Sequence, residues 1–146
     1  MEETDRAIVR LLATDGRMSY TDLARATGLS TSAVHQRVRR LEQRGVITGY
    51  VAVVNAESVG LALTAFISVT PFDPSAPDDV PERLRDISEI EACHSVAGEE
   101  SYILKVRVAT PAALEDLLAR VRAAASVASR TTVVLSTPYE ARPPSV

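Results

Sequence analysis

The residues best suited to chemistry lie on one predicted helix near residues 30–44. At about 100° per residue, Val34, Val38 and Leu41 fall on one side of such a helix. The opposite side carries Ser32, Gln36, Arg39 and Gln43, flanked by His35 and Arg40. Glutamine and arginine can form paired hydrogen bonds with the edges of adenine and guanine. This face therefore has the chemistry of base recognition in DNA.

The distribution of charge separates this tract from the rest of the chain. The whole protein of 146 residues carries a net charge of −3, which is unusual for a nucleic-acid binder. Residues 1–50 carry +2 and residues 51–146 carry −5, so the two parts are predicted to have different roles. Residues 17–44 hold six arginines against Asp22 and Glu42, a local net charge of +4 that can neutralise phosphates. A merely solvated charged helix is the alternative.

Three helices are predicted to position these side chains. The first spans residues 4–13 with Thr4 as its N-cap, and the second spans residues 20–26. The third begins after Ser30, its predicted N-cap, and ends near residue 44, before Gly45.

The junction of the second and third helices has the spacing of a helix-turn-helix. Ala24 is small where the helices must cross closely, and Gly28 suits a left-handed turn residue. A glycine-containing turn between two short helices is typical of the unit that reads DNA. A helical hairpin that binds nothing remains the alternative interpretation.

A period of two replaces the helical period after Gly45. Residues 46–53 are predicted as a strand or hairpin, and residues 55–60 as a connection. Strands are then predicted over 61–70, 90–97, 101–108 and 127–136, with helices over 79–88 and from Thr110-Pro111. This order predicts an α+β chain whose second half is a ferredoxin-like βαββαβ domain with a four-stranded antiparallel sheet.

One face of such a sheet has no helices over it. Phe66, Ile103 and Val134 are predicted on that face, and the simplest cover for them is a second copy of the domain. The prolines at 71–81 predict a loop, and those at 138–144 predict a tail that leaves the fold.

Two runs of residues resemble the signature of a known family. Arg37-Val38-Arg39-Arg40-Leu41-Glu42 is followed directly by Gln43-Arg44 and then by Gly45-Val46-Ile47-Thr48-Gly49-Tyr50. Together with the preceding helix-turn-helix, these runs closely resemble the Lrp/AsnC, or feast/famine, transcriptional regulators. The resemblance extends from Asp5 to about Thr137.

The resemblance implies a division of the chain into functional parts. It implies a winged helix-turn-helix at 1–50, a linker strand at 51–60, a ferredoxin-like (RAM-type) domain for effector binding and oligomerisation at 61–137, and a tail at 138–146. A homodimer formed through the sheet and the strand near 50–54, assembling to a tetramer or octamer, is expected. The residues expected to contact double-stranded DNA are Arg17, Ser30, Ser32, His35, Gln36, Arg37, Arg39 and Arg40.

The resemblance also implies an amino acid or small-metabolite effector. The segment Cys93–Val106 resembles the strand-turn-strand around the family's effector site, which marks residues Ala97, Gly98, Glu99, Glu100, Ser101 and Tyr102. A carboxylate at this turn can pair with an ammonium group, and backbone N–H groups near Gly98 can receive a carboxylate. The alternative interpretation of Glu99 and Glu100 is a pair of solvated turn acids. Many members have Gly-Asp-x-Asp at this turn, and Gly-Val where this chain has Ser126-Val127.

The sequence lacks the features of membrane proteins, metal-binding proteins and common enzyme classes. The chain has one cysteine, Cys93, and no run of about 18 apolar residues, so a cytoplasmic protein without membrane contact is expected. There is no metal-ligand spacing, nucleophile elbow or phosphate-binding loop, so we expect neither a cofactor nor an enzyme. Two alternatives remain: a ligand-independent architectural protein of the nucleoid, and a ferredoxin-like module that binds or converts a small molecule.

Overall fold

Three helices form the first part of the chain: α1 (Glu3–Thr14), α2 (Tyr20–Thr27) and α3 (Thr31–Gln43). In the computed structural model, which describes residues 1–146, they belong to a unit made of Met1–Val53 and Tyr139–Val146. The side chains buried at their centre are Ile8, Leu12, Leu23, Ala24, Val34, Val38 and Leu41. The apolar stripe predicted for α3 is thus its buried face, and its polar side faces solvent.

Hydrogen bonds at both ends fix the length of α3. The Ala33 N–H donates to Ser30 Oγ at 3.2 Å, which is the predicted N-cap. At the other end Gly45 has a left-handed φ of 69°, and the Val46 N–H donates to the Leu41 carbonyl at 2.9 Å. This pairing is a Schellman motif, which satisfies carbonyl groups that the helix leaves free.

The N-cap predicted for α1 is wrong. Thr4 lies inside the helix, and Glu2 occupies the cap position without a side-chain cap bond. Glu3 and Asp5 in the first turn favour this earlier start, because negative charge is stabilising at a helix N-terminus.

The strand predicted over 46–53 is also wrong. The residues after the α3 terminus form neither helix nor strand, and Val51 and Val53 are 90% and 89% exposed. A strand requires a neighbour that pairs with its backbone groups, and no segment of this chain supplies one here.

A four-stranded sheet organises the second unit, Val54–Pro138. Its strands are β1 (Leu63–Pro71), β2 (Ile90–Ser95), β3 (Tyr102–Val108) and β4 (Val127–Val133), with helices α4 (Val80–Leu84) and α5 (Pro111–Ala125). The spatial order is β2-β3-β1-β4 and every pair is antiparallel. This is the ferredoxin-like arrangement, and the predicted α+β fold class is confirmed.

Alternating residues divide the sheet into two different faces. Ala65, Ile67 and Val69 are completely buried in a core shared with Leu117 and Val121 of α5. On the other face Phe66 is 39% exposed, as expected, but the residue that pairs with it on β3 is Lys105. Lys105 and Arg107 contact Glu91 at 3.9 and 2.6 Å, so this face is more charged than the sequence pattern indicates.

The largest differences from the prediction are the end of α4, the end of β4 and the path of the tail. The helix expected over 79–88 ends at Leu84, because Arg85 and Ile87 bond to carbonyls three residues earlier rather than four. The last strand stops at Val133, which pairs with Ala65 near the start of β1, and Leu135 is 98% exposed. The tail does not leave the fold: it belongs to the first unit, where Arg10 Nη1 donates to a main-chain oxygen of Val146 at 3.1 Å.

Candidate nucleic-acid interface and ligand cleft

The solvent face of α3 gathers most of the predicted DNA contacts. Ser32, His35, Gln36, Arg39 and Arg40 are all exposed on it. The ion pairs of this unit use other arginines, so the guanidinium groups of Arg39 and Arg40 carry no internal partner. These two cations are therefore free to meet phosphate or base.

Three of the predicted contacts, Ser30, Ser32 and His35, lie against neighbouring side chains. Ser30 Oγ lies 3.1 Å from Ser32 Oγ and also caps α3, so both hydroxyls lie at its first turn. The His35 ring meets the Tyr20 ring edge-on, with centroids 5.1 Å apart. Sequence reasoning missed Tyr20, although its place at the start of α2 was visible. Arg17 is exposed just before α2, and its backbone N–H bonds to Asp15 Oδ1 at 2.9 Å.

Arg37 does not join this surface. Its Nη1 donates to Glu2 Oε2 and to Asp5 Oδ1, each at 2.8 Å, and its side chain is only 23% exposed. The pKa of Arg37 is raised, first by the hydrogen bond to Asp5 and then by that to Glu2. The structure thus places Arg37 on the side of α3 that faces α1.

The one acidic residue of α3 is held by a tyrosine. Tyr50 Oη donates to Glu42 Oε1 at 2.9 Å. Partial burial and this hydrogen bond raise the pKa of Tyr50 to about 12. The bond joins the end of α3 to the segment that follows it, and it engages the only carboxylate on the helix.

A cleft in the second unit contains every predicted effector residue. Its volume is about 520 Å³, and it lies between the segment 95–102 and the proline-rich segment 70–78. The predicted residues that line it are Ala97, Gly98, Glu99, Glu100, Ser101 and Tyr102. Sequence reasoning missed the opposite wall, Thr70 to Asp78, which the run of prolines marked only as a loop.

A side-chain hydrogen bond joins the two walls of this cleft. The buried Tyr102 donates its hydroxyl proton to Asp78 Oδ1. That bond, with burial and the negative charge of Asp78, raises the pKa of Tyr102 to about 12. Asp73 on the same wall accepts bonds from Ser75, which lower its pKa. The proline-rich wall is thus tied to β3 by one side-chain pair.

Glu99 and Glu100 lie between this cleft and a smaller cavity of about 190 Å³ on the other side. Glu100 is not a solvated acid: it accepts from Ser68 Oγ at 3.4 Å and lies 3.9 Å from Arg130. Glu99 is exposed and has no such partner. Glu99 is therefore the acid better placed to meet an ammonium group from solution.

Comparison with protein families assigns both units. The model of the AsnC-type helix-turn-helix domain matches residues 1–42, and the model of the Lrp/AsnC ligand binding domain matches residues 64–144. The chain belongs to the Lrp/AsnC family. This confirms the resemblance read from its arginine-rich and glycine-rich runs, and it identifies the protein as a member of a family of transcriptional regulators.

Individual members of the Lrp/AsnC family match the chain over nearly its whole length. The HTH-type transcriptional regulator LrpA of Mycobacterium tuberculosis is 56% identical over 142 residues, 97% of this chain and 95% of that one. The M. tuberculosis feast or famine regulatory protein in complex with L-methionine superimposes with a TM-score of 0.94, at 57% identity and 95% coverage of both chains.

A more distant relative has the same fold. A transcriptional regulator from Neisseria meningitidis, in complex with L-methionine, gives a TM-score of 0.89 at 26% identity, covering 96% of this chain and 93% of its own. None of the helices of the present Lrp/AsnC protein is long and apolar enough to cross a membrane.

Proposed function

We propose that this protein is a transcriptional regulator that reads specific double-stranded DNA with α3 and responds to a free amino acid. The observation that carries the DNA part is the exposed face of α3. Gln36, Arg39 and Arg40 project from a helix whose opposite face is buried, and neither arginine is paired within the protein. A helix held in this way can enter the major groove and present its side chains to base edges.

The DNA part is tested by selection of duplexes from a randomised pool, followed by titration of the selected duplex and a scrambled one. We expect an enriched sequence with two related half-sites about 34 Å apart or a multiple of that distance. We expect the protein to bind the selected duplex on the order of 10³-fold more tightly than the scrambled one. A pool that stays random would instead support a sequence-independent architectural protein.

The amino-acid part rests on the cleft and on the relatives. The cleft belongs to the region matched by the Lrp/AsnC ligand binding domain, and two related regulators have been crystallised with L-methionine. Glu99 offers an unpaired carboxylate to an ammonium group, and backbone N–H groups near Gly98 offer donors to a carboxylate.

Thermal unfolding in the presence of each of the twenty amino acids tests this part. A ligand present at a hundred times its Kd stabilises the folded state by about 2.7 kcal/mol. We expect L-methionine or another amino acid to raise the melting temperature, and Glu99→Gln to weaken that rise. The exposed Glu115→Gln on α5 is the matched control. An unchanged melting temperature with all twenty would refute the effector.

We further propose the division of labour and the assembly that the sequence predicts. Residues 1–50 would contact DNA, 51–60 would link, and 61–137 would bind the effector and oligomerise. The exposed valines of the linker and the half-exposed Phe66 on the open sheet face favour a homodimer, with tetramers or octamers built from it. A place in the cytoplasm, where the DNA is, follows from the same role.

A further inference from the structure

One arginine of α3 has a different environment from its neighbours. Arg37 Nη1 lies 2.8 Å from Asp5 Oδ1 and 2.8 Å from Glu2 Oε2, two acids at the start of α1. The Asp5 side chain is 13% exposed, and Asp5 is the one buried charged residue of the protein. The Glu2 side chain is 69% exposed. Arg37 therefore bridges one buried and one exposed carboxylate.

The charges of these three groups sum to −1, which leaves no excess positive charge for a phosphate. A half-buried guanidinium that keeps two carboxylate partners would have to lose at least one of them to reach DNA. Removing a partner from such a pair exposes an uncompensated charge to a low-dielectric environment. Arg37 is thus suited to a contact between helices rather than to a contact with DNA.

The apolar contacts between α1 and α3 do not set their orientation as sharply as this pair does. Ile8 and Leu12 of α1 pack near Val38 and Leu41, and apolar packing has little directional preference. Hydrogen bonds between charged groups are directional and strong. Base recognition requires side chains held to within roughly 0.5 Å and 10–20°. A directional bond beside Gln36 is well placed to supply that control.

We infer that Arg37, Asp5 and Glu2 form a clamp that fixes the orientation of α3 on α1, and that Arg37 and Asp5 are positioning residues for sequence recognition. This inference rests on the proposed role of α3 in reading DNA. In this arrangement the negatively charged Asp5 is needed for recognition of DNA, which is itself negatively charged. By charge alone, removal of the Asp5 carboxylate would strengthen DNA binding; through the clamp, its removal weakens recognition.

The test compares Asp5→Asn, Arg37→Gln, the double variant and Arg40→Gln in the full-length protein. Each is titrated with the selected and the scrambled duplex over a range of salt concentrations, at a temperature where circular dichroism shows it folded. We expect Asp5→Asn and Arg37→Gln each to lose about tenfold in affinity for the selected duplex, with unchanged salt slope and unchanged affinity for the scrambled one. The double variant should lose no more than either single one.

Further variants and the control sharpen the comparison. Arg37→Lys retains a cation opposite Asp5 and should recover part of the lost affinity. Glu2→Gln should have a smaller effect than Asp5→Asn, because exposed ion pairs contribute little. Arg40→Gln should weaken binding to both duplexes and lower the salt slope by about one.

Two results would overturn the clamp. In the first, Asp5→Asn binds the selected duplex as tightly as the parent or more tightly, while Arg37→Gln behaves like Arg40→Gln; Arg37 would then be a phosphate contact. In the second, the variants lower the melting temperature but the folded proteins bind with parental affinity, and the pair is then structural only.

Hydrogen exchange without DNA separates this inference from the proposed function. Asp5→Asn should speed amide exchange in α1 and α3 and leave α5 unchanged. If the parent selects no duplex, the proposed function fails, and unchanged exchange in α3 would by itself overturn the clamp.

Discussion

Gln36 and Arg40 lie about one turn apart on α3, and their chemistry predicts different consequences for DNA binding. Gln36→Ala removes a side chain that can pair with one base, so discrimination at one position should fall by about 1–3 kcal/mol. Arg40→Ala removes a cation, so binding to every duplex should weaken and the salt slope should fall by about one. Titration of the selected and scrambled duplexes at several salt concentrations measures both.

The exposed Glu115→Ala on α5 is the control for this comparison, and it should leave both properties unchanged. If Gln36→Ala kept the parental preference at every position of the site, the recognition face would have been assigned to the wrong side chains.

The two tyrosines bonded to carboxylates make stability depend on pH in the alkaline range. Tyr102 and Tyr50 have pKa values raised from 10.0 to about 12 in the folded protein. A raised pKa contributes stability that is complete below the unfolded value and is lost as pH rises through the folded one. We therefore expect the free energy of unfolding to fall between pH 10 and about pH 12.

Urea unfolding at a series of alkaline pH values measures this fall. The double variant Tyr50→Phe/Tyr102→Phe should show a shallower decline over the same interval, because neither hydroxyl remains to ionise. A decline as steep as that of the parent would show that other groups control alkaline stability.

At the scale of elements, the crossing of α2 and α3 depends on one small residue. Ala24 is 8% exposed. Gly28, the C-cap residue of α2, adopts a left-handed φ of 71° that turns the chain toward α3. Ala24→Leu should overpack the crossing and destabilise the first unit by about 1–3 kcal/mol, with loss of specific DNA binding. Thermal unfolding and duplex titration measure the two effects.

Ala26→Leu is the matched control, because Ala26 is exposed on the same helix. It should leave both properties unchanged. A folded Ala24→Leu protein that bound the selected duplex normally would contradict the helix-turn-helix packing.

The elements also show which signals in a sequence are reliable. The helix periods, the cap at Ser30 and the start at Thr110-Pro111 predicted α3 and α5 correctly, because the bonds that begin a helix form within a few residues. The strand at 46–53 failed because pairing requires a partner, and a pattern of alternating residues does not reveal whether one exists. The helix at 79–88 was predicted too long, because local apolar spacing did not show where hydrogen bonding changes after Leu84.

At the scale of the whole molecule, exposed valines on the linker point to assembly. Val51 and Val53 are about nine-tenths exposed in the single chain, in a segment with free backbone groups. Pairing with the same segment of a second copy would satisfy these groups and cover the side chains. Val51→Lys/Val53→Lys should therefore lower the mass measured by sedimentation toward that of a monomer.

Val59→Lys, at a residue 58% exposed in the short 3-10 helix Glu57–Val59, is the control and should keep the parental mass. A parent protein that sediments as a monomer would contradict the proposed assembly. A double variant with parental mass would place the interface elsewhere.

The sequence by itself determined the fold class, the family and the buried and exposed faces of α3, because these depend on local periodicity and on motifs. It also located the turn that lines the cleft. Only the tertiary structure decided the partners of individual charges. In the structure Arg37 pairs with Asp5, Tyr102 donates a hydrogen bond to Asp78, and Glu100 lies near Arg130. Each of these partners lies more than twenty residues away along the chain, and no local pattern encodes a distance in space.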